Sequence, residues 1–381
     1  MRRVLFAGSA GSAGSAGLAG LVSLAGIVLG GVTGCGTEGA EVERFGPEDT
    51  LAIAPRDGTV IMEGCLLDTW QLSQLGSSAA HRVLRTVILL CPSMRASGEV
   101  APSDPDARAA LAQQVTAIRG LGYRVELGVS LADDIDVPLS QPRDEIAFAS
   151  AAWREQVIKG LQAFAPMADG IDIDLQHVPA SIRTNLSQFF VELAPAMRAA
   201  GSTSLGVFAP PSQKDPSDIP GADAYDLAAI APNVDRVRLM TLDYSCCGGV
   251  PAGPTIDSGW AVDVLRLAQA KVGGKPIDLA VPLFGTDFSD LGQRSVTYLE
   301  AAAVANDVHA HVVREPSGAL HYRWQDEGNR WHETWYDDGT STARTLHAWS
   351  TDIVGPDVGI VFYGFGAEDP ALWDTVARGM R

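Results

Sequence analysis

Short apolar runs rich in Val, Ile and Leu alternate with helix-patterned segments along most of this chain. TVIMEGC and TVILLC (86–91) read as the first two strands, and YRVELGVS as the third. DGIDIDLQHV (169–178) reads as the fourth, LGVFAP, VRLMTLD and IDLAVPLFG as the fifth to seventh, and GIVFYGFG (359–366) as the eighth. Helix signals lie between them. Asp104-Pro105 opens one helix, which Gly120 and Gly122 close, and another runs from near Trp153 to Met167. After Pro179, the residues Ile182, Leu186, Phe189, Phe190, Leu193 and Met197 fall on one helical stripe, and PALWDTVARGM forms the last helix. Strands separated by helices cannot pair through tight hairpins, so the sheet must be mainly parallel. Eight such repeats predict an α/β fold of the TIM (β/α)8 barrel type.

The rhythm breaks once, between the seventh and eighth strands, where roughly 70 residues replace an ordinary crossover. VTYLEAAAVANDV reads as a helix, and ALHYRWQDEGNRWHETWYDDG as a β-hairpin turning at DEGN. A small α+β insertion over about 297–337 is expected on the C-terminal rim. Its aromatic side chains either lengthen a cleft for an extended ligand or pack into a local core.

The first residues follow a different pattern. Arg2 and Arg3 precede a Gly/Ala/Ser-rich stretch and an apolar run, Leu18 to Leu29, too short and too rich in glycine for a membrane span. Val32-Thr33-Gly34-Cys35 resembles the bacterial lipoprotein processing motif, in which the cysteine is lipidated. We therefore expect a signal peptide over 1–34, a polar tether over 35–52 and the barrel over 53–381. The chain is expected to be exported and lipid-anchored to the cell envelope. With Gly36 after the cysteine, it would go to the outer membrane if the organism has one. Contact with a membrane is expected through the lipid alone.

A net charge of −18 argues against a nucleic-acid partner, which needs clustered Lys and Arg. Apart from Cys35, the cysteines are Cys65, Cys91, Cys246 and Cys247, which permit two disulfides in three pairings. The adjacent pair would form a strained ring, so each of Cys246 and Cys247 is expected to pair with one of Cys65 and Cys91. Zinc-ligand spacing is absent, and neither a metal nor a cofactor is expected.

On the fourth strand, Asp172, Asp174 and Gln176 fall two apart, with Ile171, Ile173 and Leu175 between them. Side chains alternate along a strand, so the three polar groups share one face. In a TIM barrel they would climb the interior toward the C-terminal rim, where functional groups gather. Two carboxylates that close cannot both ionise cheaply, so a proton is shared or displaced.

DGIDIDLQ resembles the D-G-x-D-x-D-x-E signature of glycoside hydrolase family 18, the chitinase-like barrels. MTLDY (240–244) resembles that family's sixth-strand M-x-Y-D motif, and VPLFG (281–285) its seventh-strand P-L-Y-G segment. HYRWQDEGNRWHETWYDD through GIVFYGFGAEDPALW resembles the insertion and eighth strand of the bacterial cell-wall and spore-associated branch. The resemblance implies substrate-assisted cleavage beside N-acetylglucosamine, in which the acetamido oxygen attacks the anomeric carbon. It implies that Asp174 orients the acetamide N–H and that Asp172 tunes its charge. Asp243 matches the sixth-strand aspartate and Met240 the methionine, and Tyr363 stands where a tryptophan usually floors the sugar. Asp169 and Phe284, within the same motifs, join Met240 and Tyr363 as candidate substrate contacts.

Two departures bear on activity. Gln176 occupies the position of the acid, and Leu242 that of a tyrosine which donates to the acetamide oxygen. A carboxamide cannot release a proton near neutral pH. General acid catalysis is worth ~10²–10⁴ in rate, and a charge-stabilising donor ~10²–10³. The expectation is a protein that binds chitin or peptidoglycan fragments, with hydrolysis lost or strongly reduced. Two alternatives stay open: a working glycosidase, and a protein-binding scaffold with a vestigial cleft. A working enzyme would need a substitute for the lost groups. His177, Glu333, Asp337 and Asp338 are the candidate acids, and Tyr244 the candidate hydroxyl.

Overall fold

The structure, a computed structural model, describes residues 57–102, 107–131, 141–176, 178–217, 219–242, 244–245, 251–353 and 357–380. The expected leader and tether, Cys35, Asp104, Pro105, His177, Asp243, Cys246 and Cys247 lie outside the described residues.

Eight parallel strands form the frame: β1 (Gly58–Glu63), β2 (Leu84–Met94), β3 (Arg124–Leu131), β4 (Gly170–Asp174), β5 (Ser204–Ala209), β6 (Arg236–Leu239), β7 (Ile277–Pro282) and β8 (Val358–Tyr363). Each pairs with its neighbours in chain order, and β1 pairs with both β2 and β8, so the sheet closes on itself. This is the TIM barrel expected from the eight repeats. Helices cover the outside of the sheet, so β4 and β7 are buried on both faces. On the helix Arg183–Ala199, the stripe Leu186, Phe189, Phe190, Leu193 and Met197 is buried in the layer between helices and sheet. Asp257 caps the helix Ser258–Val272 by accepting from the Trp260 N–H at 2.8 Å.

The barrel interior has two layers. Toward the rim it is apolar, with Ile61, Ile88, Phe208, Met240, Leu242, Ala280, Val361 and Tyr363 in contact. Beneath lies a set of buried charges. Arg238 donates from Nη1 to Asp172 Oδ1 at 2.7 Å and from Nη2 to Glu126 Oε2 at 3.0 Å, and its Nε lies 3.3 Å from Asp278 Oδ2. All four side chains are 4% exposed or less. Arg236 also pairs with Asp278, and Arg124 lies 3.9 Å from Glu126. Such a cluster needs room that most strand residues would deny it. A Cβ on Gly206 would collide with Asp172 and Arg238, and one on Gly359 with Asp278. The two glycines occupy the inner face where the charged side chains cross.

One expectation is corrected here. Cys65 is bonded to Cys91, with Cα atoms 4.7 Å apart, so neither is left to pair with Cys246 or Cys247. The reason is register. Glu63 on β1 stands opposite Leu90 on β2, which brings Cys65 and Cys91 together just beyond the paired residues.

Between β7 and β8 the insertion forms a five-stranded antiparallel sheet, and it draws on residues from Gly285 onward. The strands Leu320–Gln325 and Trp331–Tyr336 make the hairpin, with Asn329 in the left-handed region of its turn. The helix Tyr298–Asp307 packs Ala301 and Ala305 against Tyr322 and Tyr336. Trp324 stacks on His332 and His321 on Trp335, each with ring centroids 4.3 Å apart. These aromatic groups serve the insertion's own packing, whereas Trp331 is 61% exposed.

Removing Arg238 would leave three buried carboxylates without their shared cation. We expect Arg238→Ala to cost about 3–5 kcal/mol of stability, measured by urea unfolding. An unchanged midpoint would contradict this account of the interior.

Candidate functional site

The alternation on β4 holds to the strand's end. Ile171 and Ile173 pack outward into the helical layer, while Asp172 and Asp174 face inward, 1% and 3% exposed. Gln176 follows just past the strand and is exposed. Its Nε2 lies 3.3 Å from each carboxylate oxygen of Asp174. Tyr225 fixes this end of the strand by donating its hydroxyl to the Leu175 carbonyl at 2.7 Å. Burial, and then the negative charge of Asp174, push the Tyr225 hydroxyl well above the ordinary tyrosine range. Asp172 sits one step lower and is held by Arg238. Its carboxyl is pushed up to about 6, chiefly by burial and further by Glu126 and Asp278, against the pull of Arg238.

On β8, Tyr363 is buried with its ring stacked on Phe208 at 5.6 Å and edge-on to Phe284 at 6.5 Å. Its hydroxyl donates to Glu63 Oε1 at 2.8 Å. Asp174, Glu63 and Gln176 all influence that hydroxyl, which burial and the two carboxylates hold well above its ordinary range. The rim therefore joins four side chains from three strands: Glu63, Tyr363, Asp174 and Gln176. Sequence reasoning missed Glu63. The signal was its place two residues after Ile61, on the inward face at the C-terminal end of a barrel strand. Solvent reaches Glu63, yet the surrounding protein removes enough water to raise its carboxyl, with the Tyr363 bond opposing.

Met240 and Leu242 line the same interior, 4% and 6% exposed, beside Phe208 and Tyr363. Leu242 thus presents methyl groups where the family pattern has a hydroxyl. Tyr244 does not take over the role, because it is 43% exposed and rests against Trp260 at 5.5 Å on the outer helical layer. Asp169 must also be corrected as a substrate contact. It lies before β4, at the end remote from the rim, where it pairs with Arg119 at 2.9 Å and accepts from the Val125 N–H. The periodic pattern could not distinguish the first aspartate of the motif from those at the rim. On the insertion, Glu333 accepts from Trp335 and pairs with Arg323. Asp338 caps the helix Gly339–Asp352 and pairs with Arg314, while burial beside Asp338 pushes the Asp337 carboxyl up to about 7. Among the described residues, no group of His, Cys, Asp and Glu is arranged to hold a metal ion.

No family model matches the sequence. The fold is that of a chitinase of Chromobacterium violaceum, with a TM-score of 0.71 and 22% identity, covering 86% of this chain and 99% of that one. The spore cortex-lytic enzyme SleL of Bacillus cereus superimposes with a TM-score of 0.69 and 17% identity, covering 86% and 76%. In sequence, the cortical fragment-lytic enzyme of Bacillus subtilis is 27% identical over 159 residues, 40% of this chain and 36% of that one. The chain spans less than half the length of the curated relatives it matches. The fold is therefore the TIM barrel of these chitinases and cortex-lytic enzymes, the fold that the resemblance of the motifs implied.

The raised Asp172 carboxyl has a signed consequence. Its folded value, about 6, lies above the ordinary 3.8, so the ionised form is the costly one in the fold. This contribution to stability should rise as pH falls through 6 toward 4, where the folded chain binds a proton that the unfolded chain does not. We expect Asp172→Asn to remove that increment, seen as a difference in unfolding free energy against pH between the two proteins. Parallel curves would contradict it.

Proposed function

We propose that this chain binds glycans containing N-acetylglucosamine, chitin or peptidoglycan fragments, at the C-terminal mouth of its barrel. In this reading the family's hydrolytic route is closed, and hydrolysis is lost or strongly reduced. The observation that carries the proposal is Gln176, an amide set against both oxygens of Asp174 at the position where cleavage needs a proton donor. Asp174 keeps the acceptor that an acetamide N–H requires, and Tyr363 keeps an aromatic ring at the floor. Leu242 supplies no hydroxyl for the acetamide carbonyl, which further weakens stabilisation of the attacking oxygen. The named activities of the chitinase and of the cortex-lytic enzymes support a glycan as the ligand class. Anchoring through a lipid on Cys35 would keep such a binder at the cell envelope.

Titration calorimetry with N-acetylglucosamine oligomers should show binding that Asp174→Ala weakens by about tenfold or more, consistent with loss of a charge-assisted hydrogen bond. Gln176→Glu should raise hydrolysis of the same oligomers by about 10², short of full activity because Leu242 remains. Wild-type turnover matching that of an ordinary chitinase would refute the proposal, as would the absence of oligomer binding.

A further inference from the structure

Residue 176 cannot release a proton, but another strand brings a carboxyl group to the same rim. Glu63 closes β1, and Ile61 pairs with Tyr363, so Glu63 rises beside the Tyr363 hydroxyl and accepts its hydrogen bond at 2.8 Å. The Tyr363 ring stacks on Phe208, which stands opposite Asp174 on the neighbouring strand, and Gln176 lies 3.3 Å from the Asp174 carboxylate. The backbone beneath Glu63 is firmly placed. Gly64 N–H donates to Leu90 at 3.0 Å, and the Cys65–Cys91 bond follows immediately. Among the described residues, Glu63 forms no ion pair with a Lys, Arg or His. Solvent reaches it, as recharging with protons requires.

We infer that Glu63 is a displaced general acid, which protonates the departing oxygen of an N-acetylglucosamine glycoside held by Asp174 and sustains the slow hydrolysis left to this site. The inference rests on the glycan-binding reading above. In the step, the acetamido carbonyl oxygen forms a bond to the anomeric carbon as the glycosidic C–O bond breaks. The Glu63 proton passes to the leaving oxygen, and the N–H of the resulting oxazolinium ion faces Asp174. Water then adds to the anomeric carbon and gives a proton to the Glu63 carboxylate. The ring opens to restore the acetamide, and the net change is hydrolysis. Burial raises the Glu63 carboxyl, which keeps more of it protonated than an ordinary glutamate.

The test compares wild type with Glu63→Gln, as the full chain, on a tetramer of N-acetylglucosamine and on a 2,4-dinitrophenyl N-acetylglucosamine oligomer. The dinitrophenolate leaves without protonation, whereas the sugar does not. Glu63→Gln should slow tetramer hydrolysis by about 10² or more, slow the activated substrate by less than about tenfold, and leave calorimetric tetramer affinity within about threefold. Equal losses on both substrates, no loss, or no wild-type tetramer turnover above solvent would each overturn the role of Glu63. In each case, retained tetramer binding leaves the glycan-binding reading standing, and only absence of binding sinks both. If Glu63→Gln does not fold, Tyr363→Phe serves instead. Removing a bond that lowers the Glu63 carboxyl should move the alkaline limb of the pH–rate profile to higher pH, and an unmoved limb would overturn the role.

Discussion

The inside of a small parallel barrel must be filled by side chains from its own strands, and here one layer of that filling is ionic. Arg238 meets Asp172, Glu126 and Asp278 at once, while Arg236 and Arg124 stand at the edge of the group. Removing that many charges from water is costly, and mutual pairing offsets the cost only when the geometry is tight. Gly206 and Gly359 make that geometry possible by leaving space on the inner face. The consequence reaches the rim. With Asp172 tied downward to Arg238, Asp174 is left as the upward-facing carboxylate of β4, next to Gln176.

The rim shows how hydrogen-bonding capacity can survive a change of chemistry. An amide at 176 offers donors and an acceptor, as a protonated carboxylic acid does, yet it has no proton to transfer. Leu242 keeps the apolar wall while dropping a hydroxyl. In the proposed reading, a sugar finds an acceptor at Asp174 and an aromatic ring at Tyr363. In the same reading, positions 176 and 242 lack the groups that would drive bond cleavage by the route the resemblance implies. Glu63, bonded to the Tyr363 hydroxyl, restores a carboxyl group to the same cluster from another strand.

Period-two alternation made β4 and its inward aspartates legible, because a buried parallel strand shows its two faces directly in sequence. The eight repeats were legible for the same reason, as was the hairpin of the insertion. What the sequence concealed depended on contacts between distant strands. The Cys65–Cys91 bond follows from the register of β1 against β2, which no local pattern encodes. Asp169 shares a motif with Asp172 and Asp174 but sits at the opposite end of the strand, where Arg119 claims it. Glu63 resembled a surface glutamate at the end of an apolar run, until closure of the barrel brought β1 beside β8. Arg238 was hidden similarly, since an arginine within VRLMTLD gives no hint of the carboxylates that surround it.

The most direct measurement is a crystal structure of the chain soaked with a tetramer of N-acetylglucosamine. The account predicts an acetamide N–H within hydrogen-bond reach of Asp174, a sugar ring against Tyr363, and a glycosidic oxygen near both Gln176 and Glu63. A tetramer bound elsewhere on the protein, or a sugar whose glycosidic oxygen lies remote from both side chains, would contradict it.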